Sequence, residues 1–355
     1  MISDITLEEL QSATRNHGMP LEGLRYNITP IGMHYLLIHF DVPCVEEKAW
    51  RLTVDGRVSQ PLSISLDDIR SRPQVTAPVT IECAGNGRAR MTPRPRSQPW
   101  LDEAVGTGNW TGTPLAPILQ EARMSDDAVD VLFVGLDRGE QGGIEQYYER
   151  ALPVPEALRE EVLLVYALNG VPLPPQHGFP VRLIVPGWYG MTQVKWLQRI
   201  TVLDKPFWGY QQNVFYRIAE NDDDPGVQLT RMYPRSLMIP PGIPVFETRE
   251  RLAPPGRQIL SGRAWSGWGP IVRVEVSVDS GANWSEAELG PPMGTHAWLA
   301  WSFPWDAPEG RHELLSRATD AAGNVQPLEP RWNVKGVANN AVQCVVVHVR
   351  PGVAG

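Results

Sequence analysis

The sequence predicts an α+β fold, a mixed domain followed by an all-β sandwich of immunoglobulin type. Three observations carry this. Strand-like runs in the first part of the chain do not alternate regularly with long helices, which argues against a doubly wound parallel sheet. Beyond about residue 245 the chain reads as strand after short strand. And 34 prolines in 355 residues, nearly double the ordinary share, break helices and central strands and so demand loops and short elements. The division is drawn at 232/233, giving domains 1–232 and 233–355.

The elements follow from local pattern. LEELQSAT opens the chain with a partly helical lead. WRLTVDGRV (50–58) alternates and reads as a strand. SLDDIRSR (65–72) reads as a short helix capped by Ser65. Strands follow at 79–83, 129–137, 162–170, 179–187 and 194–204. PLAPILQEAR (114–123) is the clearest helix, with Thr113 as its cap and Pro114 in its first turn. The Asp222-Asp223-Asp224 run reads as a solvated loop, since calcium-ligand spacing is absent. In IVRVEVSVDSGANW, Val272, Val274, Val276 and Val278 alternate with Arg273, Glu275, Ser277 and Asp279, and residues 280–283 make the turn.

A net charge of −8 weighs against nucleic acid or an anionic membrane as partner. The three cysteines, Cys44, Cys83 and Cys344, form no CxxC and no CxxCH. The amino-terminal segment carries no secretory signal and no run is long enough for a membrane helix, so a cytoplasmic protein is expected, or a periplasmic one if a leader was trimmed.

One cysteine stands in an unusual setting. In TIECAGNGRARMTPRPR, Cys83 ends a β-branched run, a glycine turn follows, and then come Arg88, Arg90, Arg94 and Arg96. A lone cysteine is more often a buried core residue. Neighbouring arginines would instead depress its pKa and favour a thiolate, a nucleophile or soft-metal ligand. Gly85 and Gly87 would let a bulky group approach the backbone.

CAGNGR resembles the molybdenum-ligand loop of the sulfite oxidase family. HGFPVRLIVPGWYGMTQVKWL (177–197) is similar to that family's pterin-binding stretch. AWSGWGPIVRVEVSVDSGANW (264–284) and RWNVKGV (331–337) look like its dimerisation domain. The motifs are in order, and the likeness runs from Thr29 to Val349. The resemblance implies a molybdopterin-binding domain with molybdenum held by Cys83; no haem or flavin is expected beside it, since the sequence shows no CxxCH and no haem domain. It implies that Arg182 and Lys195 take the pterin phosphate, a guanidinium fork and a point charge. His39, Asp137 and His177 become further pterin contacts. Arg88 and Tyr216 become pocket residues for an oxyanion beside the metal, with Trp100 a candidate beside them.

Two positions depart from the family pattern. Where the family has an arginine before the histidine of YLLIHFDVP, this chain has Leu37; a literal Arg15-Asn16-His17 lies earlier and reads as coincidence. The arginine of the Trp-Asn-x-Arg-Gly pattern is Lys335, which keeps charge and loses the fork. Both changes count against sulfite itself. The resemblance implies oxygen-atom transfer with electrons passed to an external cytochrome or dioxygen. The alternatives are an oxo-transfer reductase of S-oxides or N-oxides on the same cofactor, and a scaffold without catalysis. A homodimer is expected, with Trp265, Trp268, Trp298, Trp301 and Trp305 offering aromatic surface for it, although some of them must fill the sandwich core.

Overall fold

The computed structural model describes residues 5–353. Helix α1 (Leu7–Arg15) starts on a capping box in which Thr6 accepts from the Glu9 amide and Glu9 from the Thr6 amide. Helix α2 (Leu66–Arg70) is capped by Ser65 and closed by Asp68 in the same way, as its sequence predicts. Helix α3 (Ala116–Glu121) begins later than expected. Thr113 and Pro114 do not cap it; they end a strand, paired with Leu164 and Leu163. Ladder pairing on both edges of that strand outweighs the local capping preference, and Pro117 takes the first-turn position.

The first domain packs two sheets. One has the order β2-β1-β10-β5-β6, built from β1 (Leu52–Gly56), β2 (Leu62–Ile64), β5 (Asp130–Gln141), β6 (Ile144–Pro153) and β10 (Leu197–Leu203). Within it β1 and β10 run parallel and the other pairs antiparallel. The other sheet joins β3 (Val75–Glu82), β4 (Val105–Pro114), β7 (Leu163–Leu168) and β8 (Val171–Pro172), with β9 (Arg182–Ile184) on the free side of β7. Leu52, Phe133 and Ile200 from the first sheet share one core with Leu164 and Leu183 from the second. β3, which ends just before Cys83, and β9, which carries Arg182, belong to the same sheet.

The second domain is a sandwich of two sheets. One runs through 235–238, 256–265, 299–307 and 288–289; the other through 243–244, 251–253, 343–349, 310–320, 271–277 and 285–286. The division expected at 232/233 falls just before the first of these strands. The alternation from Val272 onward is corrected at its start. A bulge between Ile271 and Arg273 shifts the register, so Ile271 is buried and Val272 is half exposed. Ser277 is buried too, its hydroxyl bonded to Asp279 and accepting from the Gly281 amide. Four of the five tryptophans assigned to an interface are core residues: Trp265, Trp298, Trp301 and Trp305 are at most 4% exposed, leaving only Trp268 at the surface. Trp301 and Trp305 fill the space between the two sheets, while Trp265 and Trp298 pack in a second cluster with first-domain residues such as Met19, Val105 and Tyr216.

The two halves meet at a buried ion cluster. Arg235 Nε lies 2.7 Å from Glu82 Oε1, an ion pair by distance rather than a directed hydrogen bond. Arg235 Nη1 lies 3.6 Å from Asp102. Trp265 Nε1 donates to Glu82 Oε2 at 2.9 Å.

Candidate active site

The end of β3 delivers Cys83 to a tightly stitched loop. Its amide donates to the Ala104 carbonyl (2.9 Å), and the Asn86 amide donates back to the Cys83 carbonyl (3.0 Å). Asn86 is buried, donates to Glu82 Oε1 and accepts from the Ala104 amide, both at 3.0 Å. Gly87 holds φ at +84°, which a side chain would resist. A Cβ on Gly85 would come within 2.6 Å of the Arg88 guanidinium. The room at Gly85 is thus taken by the chain's own arginine.

The four arginines do not all gather on Cys83. Arg90 donates to Asp102 (2.9 Å), Arg94 forks onto Glu9, and Arg96 is exposed. Only Arg88 faces Cys83. It is buried, its Nη1 donates to the Gln98 carbonyl (3.0 Å) and its Nε to the Lys335 carbonyl (3.3 Å). No ion pair joins it to a carboxylate among the described residues. The expected thiolate is corrected as well. Burial pushes the Cys83 thiol up, against a weaker pull from the Gly85 amide and Arg88. Arginine alone does not ionise this sulfur; a metal cation bonded to it would.

Cys83, Leu37, His39 and Tyr216 separate two adjoining chambers. The inner one collects His39, Asp137, His177, Arg182 and Lys195, all expected from the sequence, together with His34 and Tyr148, which were not. Arg182 donates to the carbonyls of His177 (3.0 Å) and Gln193 (3.2 Å), stacks 4.9 Å from the Trp110 ring centre, and leaves Nε without a partner. Burial lowers its pKa to about 10. Lys195 Nζ donates to the carbonyls of Leu37 (2.9 Å) and Gln176 (3.0 Å). Burial drives the Lys195 ammonium down and the Asp137 carboxyl up, each opposed by the other's charge. His177 falls to about 2 through burial and the nearby His34, Arg182 and Lys195. His39 falls to about 4, mainly by burial, and its Nε2 meets Gln141 Oε1 at 2.7 Å. His34 Nδ1 meets the Tyr35 carbonyl at 3.1 Å, so the proton sits there and Nε2 is left as an unpaired acceptor.

These are buried polar atoms without partners in the lining of one chamber. Asp137 Oδ1, Arg182 Nε and His34 Nε2 offer acceptor, donor and acceptor around it. Such atoms cost free energy unless a bound group satisfies them. Two buried cations and a single carboxylate in one lining also call for an anion. Among the described residues no three His, Cys, Asp or Glu side chains converge to hold a metal ion. A metal on Cys83 would therefore take its other ligands from a bound organic group. The residues fit a polar, phosphate-bearing cofactor whose metal lies at Cys83.

The outer chamber is walled by Arg88, Gln98, Trp100, Tyr216 and Leu37. Tyr216 is buried at the end of a π-turn over 211–215, and burial raises its hydroxyl pKa. Lys335 is not in either wall. Its Nζ pairs with Asp222 at 2.8 Å and only its carbonyl reaches Arg88. An exposed carboxylate has drawn the ammonium out to the loop read as solvated. The Arg15-Asn16-His17 copy is the reverse case. His17 and Leu36 form a two-bond antiparallel bridge (3.1 and 2.8 Å), and Asn16 Oδ1 accepts from the Ile38 amide at 2.7 Å. Arg15 and Asn16 thereby line the outer chamber beside Leu37. Sequence order hid this, because the bridge folds 15–17 back onto 36–38.

Residues 39–211 match the oxidoreductase molybdopterin binding domain, and residues 248–350 the Mo-co oxidoreductase dimerisation domain. Chicken sulfite oxidase is 37% identical over 332 residues, covering 88% of this chain and 72% of the relative. The chain belongs to the sulfite oxidase family. Mouse mitochondrial sulfite oxidase is 35% identical over 91% of the chain, which spans 62% of that relative's length. An NADH nitrate reductase of Ulva prolifera is 32% identical over 90% of the chain and 40% of its own. The crystal structure of the sulfane dehydrogenase SoxCD from Paracoccus pantotrophus superposes with a TM-score of 0.81 at 26% identity, covering 98% of this chain and 88% of that one. Within this sulfite oxidase family member, His34, Tyr148 and fully buried Arg150 were missed from sequence. Arg150 lies 5.8 Å from the Tyr216 ring centre, with Nε and Nη2 unpartnered. A single histidine and an arginine in strand-like text carry no local signal of burial.

Proposed function

We propose that this protein is a molybdenum cofactor-dependent oxidoreductase that transfers an oxygen atom at a metal bonded to Cys83. The observation that carries the reading is the inner chamber, where buried Arg182 and Lys195 surround unpartnered polar atoms beside Cys83. When bound, the cofactor supplies a two-electron redox metal and an exchangeable oxygen. Arg182 and Lys195 hold its phosphate, and the unpartnered atoms of Asp137 and His34, with His177, meet its ring. His39, kept neutral by burial, donates or accepts without adding charge. Cys83 anchors the metal. Arg88 and Tyr216 orient the substrate, and Trp100 closes the wall against water.

The substrate class is a small oxyanion or oxo compound; sulfite is the first to test, with Leu37 and Lys335 counting against its tight binding. One sulfite and one water give one sulfate, two protons and two electrons, and the electrons leave to an external acceptor such as a cytochrome or dioxygen. A reductive direction is supported by the likeness to a nitrate reductase. A homodimer through the second domain is supported by its dimerisation-domain match. Elemental analysis of purified protein should give about one molybdenum per chain. Steady-state assays with a dye acceptor should then show sulfite oxidation; dye-coupled reduction of nitrate, S-oxides or N-oxides without sulfite oxidation would reverse the direction, and absence of molybdenum would end the proposal.

Because Lys335 points at Asp222 instead of the chamber, Lys335→Ala should change KM by no more than about twofold, the scale of an exposed pair. A tenfold rise would return Lys335 to the pocket.

A further inference from the structure

The outer chamber has one arginine the family pattern did not assign. Arg15 is the last residue of α1 and lines the wall that also holds Leu37, Arg88 and Tyr216. Its position is built rather than incidental. Buried Glu9 of the same helix forks onto Arg94 of the Cys83 segment. Asn16, 5% exposed, donates to Gln98 Oε1 at 3.2 Å, while the Gln98 carbonyl holds Arg88. The His17–Leu36 bridge and the Asn16–Ile38 bond fix the helix end against the extended segment carrying Leu37. Arg15 itself is exposed and makes no ion pair with another described residue. The one carboxylate in the chamber wall, Glu140, is exposed and likewise unpaired with it.

We propose that Arg15 supplies the anion contact that Leu37 withholds, binding the charged group of the substrate at the chamber mouth while Arg88 binds it deeper. The assignment rests on the oxidoreductase reading above and names the cation that selects its substrate. The pocket thus keeps two guanidinium groups, one delivered from the helical lead. Arg88 is buried and Arg15 is not, so the two contacts differ in strength and salt sensitivity. The buried one binds tightly; the exposed one draws anions in and weakens as salt rises.

The test uses molybdenum-loaded protein and inorganic sulfate, a non-reducible probe, with binding read by calorimetry at constant ionic strength. Arg15→Ala should weaken sulfate binding and raise KM for sulfite by about three- to tenfold, with kcat nearly unchanged, the range for a charge-assisted contact at a partly exposed site. Arg15→Lys should retain most of the binding. Adding Leu37→Arg to Arg15→Ala should restore it, because the two positions serve one chamber. Molybdenum content is measured in parallel; its absence from the parent protein would undo the oxidoreductase reading itself. Loaded protein in which Arg15→Ala binds sulfate as the parent does, or a parent that binds no sulfate, would overturn the role of Arg15. So would a second substitution that fails to rescue.

Discussion

Cys83→Ala should lower turnover by more than about a hundredfold and strip most of the molybdenum, while the protein stays folded. Loss of residues that merely orient metal ligands costs ten- to a hundredfold, so loss of the ligand should cost more. Nothing else nearby can replace it, since no cluster of metal-binding side chains exists among the described residues. The substitution itself is mild. Cys83 is small and 6% exposed, so alanine leaves a void of one sulfur atom. The melting midpoint of cofactor-free protein should move by no more than about 3 °C. Turnover with sulfite, metal content and thermal melting check the three parts together. Full metal content in the variant would place the metal elsewhere.

Arg235→Ala should be the most damaging single change to stability, by about 3–5 kcal/mol in urea unfolding. Arg235 is 1% exposed and stands between Glu82 and Asp102, both as deeply buried. Asp102 retains Arg90, but Glu82 keeps only the Trp265 and Asn86 donors. Removing the guanidinium therefore strands a carboxylate in the interior. The pH dependence has a definite sign. Burial already holds the Glu82 carboxyl above its ordinary value. Its contribution to stability is present at acid pH and is lost as pH rises through the folded-state value. Arg235 opposes that loss, so the deficit of Arg235→Ala should be larger at about pH 8 than at about pH 5. An equal deficit at both would mean the cavity, and not the stranded charge, sets the cost.

Much of the strand pattern was legible because β-branched alternation is a local signal. Segments around 79–83, 129–137 and 194–204 fold as strands where the sequence places them. What pairs with what was not legible: β1 lies beside β10, Thr53 opposite Arg199, with most of the first domain between them in sequence. The same blindness explains Arg15, whose motif reads as misplaced until the chain folds back on itself. Lys335 fails for the opposite reason, since a flexible ammonium goes to whichever carboxylate is near, here Asp222. The tryptophans of the second domain were assigned to a surface because periodicity cannot distinguish a core ring from an interface ring. By contrast His39, Asp137, His177, Arg182 and Lys195, scattered over the sequence, line one chamber.

The loop around Cys83 draws part of its backbone pairing from the second domain. The Ala84 carbonyl accepts from the Ala338 amide (2.7 Å), the Gly87 carbonyl from Asn339 Nδ2 (2.7 Å), and Asn339's own carbonyl from Arg235. The sandwich is thus a splint for the Cys83 loop as well as a neighbour. Exchanging one half between relatives without residues 338–339 of the other would leave the Ala84 carbonyl dangling and the Gly87 carbonyl with the Arg90 amide alone, so the two halves should be inherited and engineered as a matched pair.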